Sequence, residues 1–483
     1  MLFNSYVFVL LFLPLCLLGY FGLNHVKKYK LAQIFLLGMS LWFYGYFNPS
    51  YLLIIISSIV VNYCIYRLME KQGEGSLRKP LMILGVVLNV GILVYFKYMD
   101  FFIGNINALF KTDIEFLKIA LPLGISFFTF QQLSFIIDAY RGEIADYNFL
   151  DYANFVTYFP QLIAGPIVTH DELVPQFMDK EKKRFNVDNF AQGIYMFTFG
   201  LAKKVLLADT FGDAVTYGFT TIDQLTAVSA LIVMLSYTIQ IYFDFSGYSD
   251  MAIGIGKMMN IDLPLNFNSP YKALTITEFW DRWHMTLTRF LTKYVYIPLG
   301  GSRKGSVRTY VNIMIVFLVS GLWHGASWNF VFWGACHGIF MVITRGFKSF
   351  FEKLHPVFNW FMTFSFVNVM WVFFRAENFT QALTLLKALV SWNFSLDNVF
   401  IQVFRLAELK KVLSFFRIED HYPAFIITGF FLTAFVLLLG SSNAYEKMQK
   451  FKPTFFRWAV TIFLFTWCVF SFAGISEFLY FNF

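Results

Sequence analysis

Long apolar runs recur along the whole 483-residue chain. A straight transmembrane helix needs roughly 20 apolar residues, and the clearest runs approach or reach that length. They cover residues 6–20, 31–47, 51–66, 81–98, 119–137, 228–245, 310–322, 358–374, 424–439 and 455–472. The pattern predicts an all-α, polytopic integral membrane protein with about ten or more spanning helices.

Other apolar stretches are interrupted by residues that break helices. Residues 149–168 and 193–207 contain Pro, Gly or Lys, and residues 159–177 contain three prolines. Proline removes a backbone donor and bends or ends a helix. Broken helices at membrane depth are tolerated only where they are buried in protein or line a cavity. We therefore expect short re-entrant or interfacial helices beside an internal site.

The charge pattern agrees with a membrane protein. Charged residues make up 14% of the chain, against about 25% in soluble domains. Basic residues cluster at 27–30, 67–79, 180–184, 300–308 and 447–452. The positive-inside rule predicts that these loops are cytoplasmic, and spreading the net charge of +8 over loops argues against a nucleic-acid partner. We expect a single membrane domain over residues 1–483.

Ionisable residues crowd into one part of this apolar chain, residues 278–338. Three of the seven histidines, His284, His324 and His337, lie there. A buried polar group costs free energy unless it is paired, and ionisable residues within a membrane are candidates for function. This stretch is the predicted site of chemistry.

The first histidine of this stretch lies in a segment with helical spacing. Glu278 and Arg282 are four residues apart, as are Trp280 and His284, so each pair would share a helix face. Asp281 is close enough in sequence to hold the His284 ring. An equally good interpretation is an amphipathic helix that lies at the membrane interface, anchored by its tryptophans.

The second histidine follows an apolar run. His324 lies between Gly321 and Gly325, and glycine lets another backbone or a substrate approach closely. The surrounding GLWHGASW sequence adds indole donors and a hydroxyl, which suits a narrow tunnel. His337 would be more than three turns away on one continuous helix, so we interpret it as structural.

A metal site is not expected. Histidine-based metal centres need ligands at short helical spacings, and the segment between His284 and His324 contains no other His, Asp or Glu.

Two carboxylates, Asp244 and Asp250, lie near the end of an apolar run. They either pair with an arginine, with Arg282 or Arg289 as candidates, or hydrogen-bond a ligand. A structural ion pair that fixes helices is the favoured interpretation.

Several motifs carry a family resemblance. RWHMTLTRFLTKYVYIPLGGSRKG, GLWHGASWNFVFWGACHG, PLGISFFTFQQLSFIIDAYRGE and DFSGYSDMAIGIG resemble the membrane-bound O-acyltransferase family. The chain is most similar to the bacterial branch of alginate and peptidoglycan O-acetyltransferase membrane subunits, and the resemblance covers nearly the whole chain.

The resemblance implies tilted helices around a central tunnel with a cytoplasmic funnel, in the bacterial inner membrane. It implies that His324 is catalytic and that His284 is the second hallmark residue. Acetyl-CoA would be a substrate that approaches from the cytoplasm, with no tightly bound cofactor. The acetyl group would pass to a periplasmic or membrane-anchored O-acetyltransferase with a serine nucleophile, and finally to a polysaccharide such as peptidoglycan or alginate.

Transfer from a thioester to a hydroxyl needs a base and donors for the carbonyl oxygen. His324 can serve as the general base if burial keeps it neutral. Residues that could orient it, support the oxyanion or bind substrate are Asp244, Trp280, Arg282, His284, Trp323, Trp328 and Asn329. Arg303 and Lys304 are candidates for binding the phosphates of the donor.

Three alternatives stay open. The close alternative is D-alanyl transfer from a carrier-protein thioester to a cell-wall polymer. The others are a polysaccharide or lipid transporter, for which we find none of the usual internal duplication, and a structural anchor of an export complex.

Overall fold

The computed structural model describes residues 1–73, 75–144, 146–396, 398–404, 414–415, 417, 423–473 and 478–479. Every regular element within these ranges is helical, which confirms the all-α fold class. The α-helices in the first half of the chain are Leu13–His25, Tyr29–Gly45, Ser50–Gln72, Arg78–Leu93, Met99–Phe110, Ile125–Arg141, Phe149–Thr157, Phe159–Leu162, His170–Met178, Val187–Ala202 and Asp209–Thr220.

The later α-helices are Ala227–Met258, Ile276–Arg282, Met285–Leu291, Ser306–His324, Trp328–Gly346, Lys348–Phe351, Pro356–Arg375, Phe379–Leu389, Asn398–Val403, Pro423–Phe435, Ala444–Gln449 and Phe455–Phe470. Wider π-helical turns occur at Val7–Phe12, Val94–Tyr98, Lys203–Ala208, Thr292–Tyr296 and Val436–Gly440. Short 3₁₀ turns occur at Ile222–Gln224, Pro270–Lys272 and Ser471–Ala473.

Six helices in the described ranges are long and apolar enough to cross a membrane, so the chain is a multi-pass membrane protein. They are Val7–His25, Ser50–Gln72, Arg78–Phe110, Ala227–Met258, Ser306–His324 and Pro356–Arg375. Phe425–Gly440 and Phe455–Phe470 are shorter apolar helices. Several of the remaining apolar runs form helices of 17 residues, such as Tyr29–Gly45 and Ile125–Arg141.

The chain folds into two compact units. The first unit comprises residues 1–197 and 251–264, and the second comprises residues 198–250 and 265–483. The assignment of residues 1–483 to a single membrane domain stays a prediction.

The first unit is held together by aromatic packing and by buried amides. Asn89 Nδ2 donates to Asn62 Oδ1 over 2.6 Å, and Ser58 Oγ donates to Gln132 Oε1 over 3.0 Å. All four residues are buried. Hydrogen bonds of this kind stabilise helix pairs in lipid, because an unpaired amide there has no water to bind.

The proline-rich segment of the first unit is broken, as predicted. Residues 149–178 form three short helices, Phe149–Thr157, Phe159–Leu162 and His170–Met178. The Thr169 hydroxyl and the Glu172 carboxylate cap the start of the third helix reciprocally. Bent backbone in this segment is therefore stabilised by its own side chains.

In the second unit, the Ser306–His324 and Trp328–Gly346 helices form a closely packed hairpin. A β-carbon on Gly321 would overlap the carbonyl oxygen of Phe330, and one on Gly334 would overlap that of Phe317. This spacing is too small for any side chain, so both positions require glycine. The expectation that Gly321 lets another backbone approach closely is confirmed. The approaching backbone is that of the Trp328–Gly346 helix.

Candidate active site

His324 is the last residue of the first hairpin helix and is almost completely buried. Gly325 follows it with extended backbone, and the second helix begins at Trp328. The imidazole lies among aromatic rings, with centroid distances of 4.9 Å to Trp323, 5.2 Å to Trp333 and 5.1 Å to Phe374. The ring is therefore enclosed by aromatic side chains.

His284 lies at a break between two short helices, Ile276–Arg282 and Met285–Leu291. Its backbone is left-handed, with φ of 46° and ψ of 51°. Trp280 and His284 therefore do not share a helix face, and that prediction is wrong. The interfacial-helix alternative also fails, because Trp280 and Trp283 are both buried within the protein.

The partner of the His284 ring is Asn266. The His284 Nδ1 atom and the Asn266 Oδ1 atom are 3.1 Å apart. The same oxygen accepts from the Thr286 backbone N–H at 3.3 Å and from the Thr286 hydroxyl at 2.9 Å. Because a backbone N–H can only donate, the amide oxygen is the acceptor, and His284 donates from Nδ1. Asp281 is exposed and has no such contact, so the expectation that it holds the ring is wrong.

Burial lowers the pKa of His284 to about 3. The ring is therefore neutral at any physiological pH, and the Asn266 contact keeps its proton on Nδ1. The Nε2 atom then carries the lone pair and acts as an acceptor.

Trp323 links the two histidines predicted to be catalytic. Its ring centroid lies 4.9 Å from that of His324 and 5.9 Å from that of His284. Phe245 covers another side of His284 at 4.8 Å. The structure thus brings His284 together with Trp323 and His324. The last two are neighbours in the sequence, whereas His284 is distant from both.

His337 belongs to the same aromatic cluster. Trp280 Nε1 donates to His337 Nδ1 over 3.2 Å, and Trp333 lies 4.6 Å from His337 and 5.2 Å from His324. The helix breaks at Gly325 and the chain turns back. The expected distance between His324 and His337 assumed one continuous helix and did not include this turn. Its contacts fit the structural interpretation, in which it fixes the indoles of Trp280 and Trp333.

The two carboxylates pair with lysines and not with arginines. Asp244 Oδ1 lies 2.6 Å from Lys204 Nζ, and Asp250 Oδ2 lies 2.5 Å from Lys203 Nζ. Lys204 also binds Asp209 at 2.7 Å. The expected pairing with Arg282 or Arg289 is wrong, whereas the interpretation of a structural ion pair fits the geometry.

The remaining candidates are dispersed. Arg282 pairs with Glu278 at 2.7 Å, as the spacing predicts. Asn329 is buried but donates to the backbone oxygen of Ala376 over 2.8 Å, and Trp328 is 61% exposed. A role for either of these two residues in orienting His324 stays a prediction.

Arg303 and Lys304 are exposed in a turn before the Ser306–His324 helix. Their positions leave both cations accessible to an anionic substrate. They do not line the aromatic cluster around His324.

Sequence reasoning missed two features of the site. Asn266 had no signal of its own, because its role depends on a left-handed residue that breaks a helix. Lys203 and Lys204 did have a signal, since two adjacent lysines interrupt an apolar stretch and require counter-ions. In the part of the chain that the structure describes, no three His, Cys, Asp or Glu side chains are grouped as metal ligands would be.

Comparison with known proteins agrees with the motifs. The family model of membrane-bound O-acyltransferases matches residues 115–376, a range that includes His284, His324 and His337. The chain therefore belongs to the membrane-bound O-acyltransferase family. It is an acyltransferase, which sets aside the transporter and anchor alternatives.

Three individual relatives differ in how similar they are to this chain. The chain is 40% identical to the peptidoglycan O-acetyltransferase of Helicobacter pylori, over 100% of this chain and 98% of that protein. It is 39% identical to the probable alginate O-acetylase of Pseudomonas aeruginosa, over 87% of this chain and 82% of that protein. Similarity to the teichoic acid D-alanyltransferase of Bacillus subtilis is lower, at 26% over 49% of this chain and 61% of that protein.

An acidic residue in place of Asn266 should make activity dependent on pH. A carboxylate beside His284 Nδ1 favours the charged ring and should raise its pKa by about 1–3 units. Below the raised pKa the ring is protonated, Nε2 loses its lone pair, and the activity of Asn266→Asp should fall relative to the wild type. The measurement is the ratio of the two rates between about pH 4 and about pH 8, a range that includes the raised pKa.

Asn378→Asp is the matched control, because Asn378 is an exposed helix cap and aspartate caps equally well. Its ratio to the wild type should not change with pH. A ratio for Asn266→Asp that is equally flat would contradict the role assigned to this hydrogen bond.

Proposed function

We propose that the protein is an O-acetyltransferase of the bacterial inner membrane that takes acetyl groups from cytoplasmic acetyl-CoA and passes them across the membrane to modify a polysaccharide. The strongest support is the full-length similarity to the Helicobacter pylori peptidoglycan O-acetyltransferase. The similarity to the probable alginate O-acetylase supports the same class of acceptor. Peptidoglycan is the preferred acceptor, since that relative matches over the greater share of both chains.

The buried histidine supports the chemistry. His324 would accept the proton of the attacking hydroxyl while the hydroxyl oxygen bonds to the thioester carbonyl carbon. The carbon–sulfur bond then breaks, and the proton passes from His324 to the leaving thiolate, which gives free CoA and an acetyl ester. A neutral imidazole enclosed by aromatic rings is suited to this exchange, because water that could hydrolyse the thioester is excluded.

The proton positions assign different roles to the neighbouring groups. Neutral His284, with its proton held on Nδ1 by Asn266, offers Nε2 as an acceptor. It would orient a hydroxyl or the His324 ring, and it does not donate to the oxyanion from that atom. The indole N–H of Trp323 is a donor only, and its ring lies against both histidines. We assign oxyanion support to Trp323.

The acetyl group would be handed to a second protein. The long polar segments of this chain lie between apolar runs and are too short to form a domain that grips a polysaccharide. The proposed recipient is a periplasmic or membrane-anchored O-acetyltransferase whose serine hydroxyl takes the acetyl group. The match to a D-alanyltransferase keeps a carrier-protein thioester as the second candidate donor.

Reconstitution tests the proposed donor and the relay together. The purified chain in liposomes should consume acetyl-CoA slowly or not at all when alone, and it should turn over when a serine acetyltransferase partner is added outside. The measurement is release of free CoA and labelling of the partner from radioactive acetyl-CoA. Turnover with a D-alanyl carrier protein but not with acetyl-CoA would contradict the proposed donor. Acetylation of the polysaccharide by the chain alone would contradict the relay.

His324→Ala should abolish transfer because the general base is lost, and loss of such a base typically lowers the rate by about 10²–10⁴-fold. The measurement is the rate of CoA release in liposomes with the serine acetyltransferase partner added, at equal protein content, and with thermal unfolding measured in parallel. The matched control is His25→Ala, which removes an exposed histidine and should leave the rate unchanged. A folded His324→Ala protein with a near-normal rate would remove His324 from the mechanism.

Charge reversal at Arg303 and Lys304 should raise the KM for acetyl-CoA with little change in kcat. Both side chains are exposed, so dissolved salt screens their attraction to the donor phosphates. The screening length is about 10 Å at 0.1 M salt. The wild-type KM should therefore rise with salt, and that of the double variant should respond less. An unchanged KM in the variant would show that the donor phosphates bind elsewhere.

A further inference from the structure

A cavity of about 660 Å³ lies in the second unit. Its volume is within the roughly 300–1,000 Å³ range of small-molecule sites. None of its lining residues is a histidine or a direct neighbour of His324 in sequence. The acyl-transfer chemistry described above therefore leaves this cavity without a role.

One wall of the cavity is apolar. Phe430, Leu437, Leu464 and Trp467 line it and come from the Phe425–Gly440 and Phe455–Phe470 helices. The outer faces of these helices are apolar too, with Leu432 63% exposed. In a multi-pass membrane protein such faces contact lipid. The helices that form this wall therefore contact hydrocarbon chains of the bilayer on their outer faces.

The lining also contains cations. Lys203 and Lys447 both line the cavity, and the Lys272 ammonium donates to the carbonyl oxygen of Ser441, another lining residue, over 2.7 Å. The charge of Lys203 is matched by Asp250. The cavity therefore combines apolar walls with a cluster of ammonium groups.

Among the described residues neither Lys447 nor Lys272 forms an ion pair, and of these two Lys447 is the one that lines the cavity. Its Nζ lies 5.8 Å from the centre of the Phe199 ring, and no described carboxylate lies within ion-pair distance of it. Partial burial and then the positive charges of Lys203 and Lys272 lower its pKa. An anion placed here would relieve that repulsion.

A further donor lines the apolar wall. The indole N–H of Trp467 has no hydrogen-bond partner among the described residues, although the nitrogen is shielded from solvent. An oxygen-bearing ligand could accept from it. Burying such a donor without an acceptor costs free energy.

We propose that this cavity binds one anionic phospholipid, with its phosphate at Lys447 and Lys203 and an acyl chain against the Phe425–Gly440 and Phe455–Phe470 helices. Lys447 belongs to the basic cluster at residues 447–452, which the positive-inside rule assigns to the cytoplasmic side. The cytoplasmic leaflet is the one rich in anionic lipid. A lipid matches both the charge and the apolar wall, whereas a soluble anion matches only the charge.

The first test measures lipid binding directly. The purified wild-type chain is placed in phosphatidylcholine nanodiscs with a small fraction of fluorescent phosphatidylglycerol, and bound label is measured by energy transfer from tryptophan. Lys447→Gln should weaken binding about fivefold, the effect expected for one lysine at an anionic lipid surface. Lys450→Gln, which removes an exposed cation of the same cluster, should leave binding unchanged.

The second test fills the apolar part of the cavity. Gly429 lines the cavity, and a β-carbon there would meet no atom within 4 Å. Gly429→Leu should fold normally and lose the bound lipid by occupying the acyl-chain space. Gly91→Leu is the control, because Gly91 is also exposed on a helix with open space at its β-carbon.

Three results would overturn the proposal. Equal binding of labelled phosphatidylcholine and phosphatidylglycerol would remove the role of charge. Unchanged binding in both Lys447→Gln and Gly429→Leu would place the lipid elsewhere. Displacement of the lipid by coenzyme A would assign the cavity to the donor. None of these measurements depends on acetyl transfer, so they fail or succeed separately from the proposed reaction.

Discussion

The backbone contact between the Ser306–His324 and Trp328–Gly346 helices is the constraint on which the candidate site depends. Any β-carbon at Gly321 or Gly334 would overlap a carbonyl oxygen of the facing helix. Contact between backbones fixes the register of the two helices, and Trp333 lies one residue before Gly334. The 5.2 Å contact between Trp333 and His324 therefore follows from where the glycines lie. In membranes, where apolar packing against lipid gives no net gain, small residues are the usual means of such an approach.

The surroundings of the histidines fix the orientation of these rings inside an apolar medium. Rings of Trp323, Trp333 and Phe374 enclose His324. In His284 and His337, a hydrogen bond at one ring nitrogen fixes the position of the proton. Asn266 determines which nitrogen of His284 carries the proton, and Trp280 does the same for His337. A hydrogen bond to one ring nitrogen thereby decides the chemistry available at the other.

Features that depend on local composition could be predicted from the sequence. The apolar runs indicated membrane helices, the prolines indicated a bent segment, and Gly321 indicated close packing, because each follows from what the residue itself permits. Partners that come from distant segments could not be predicted. His284 adopts a left-handed conformation, which cancels its helical spacing from Trp280, and Asn266 reaches it from a loop. Lys204 and Asp244 form an ion pair because two helix segments pack together. The spacing of residues along the sequence does not show which segments pack.

The buried carboxylate of Asp244 has a consequence for how the protein is made. Besides Lys204, it accepts the backbone N–H of Leu479 at 2.9 Å, from a residue 235 positions later in the chain. A ribosome completes the helix around Asp244 long before it adds Leu479, so the hydrogen bond from Leu479 can form only after the later helices have been made. The two adjacent lysines precede Asp244 in the sequence, and so their charges are in place first. The order of residues along the chain thus makes the ion pair with Lys204 available to Asp244 before the hydrogen bond from Leu479.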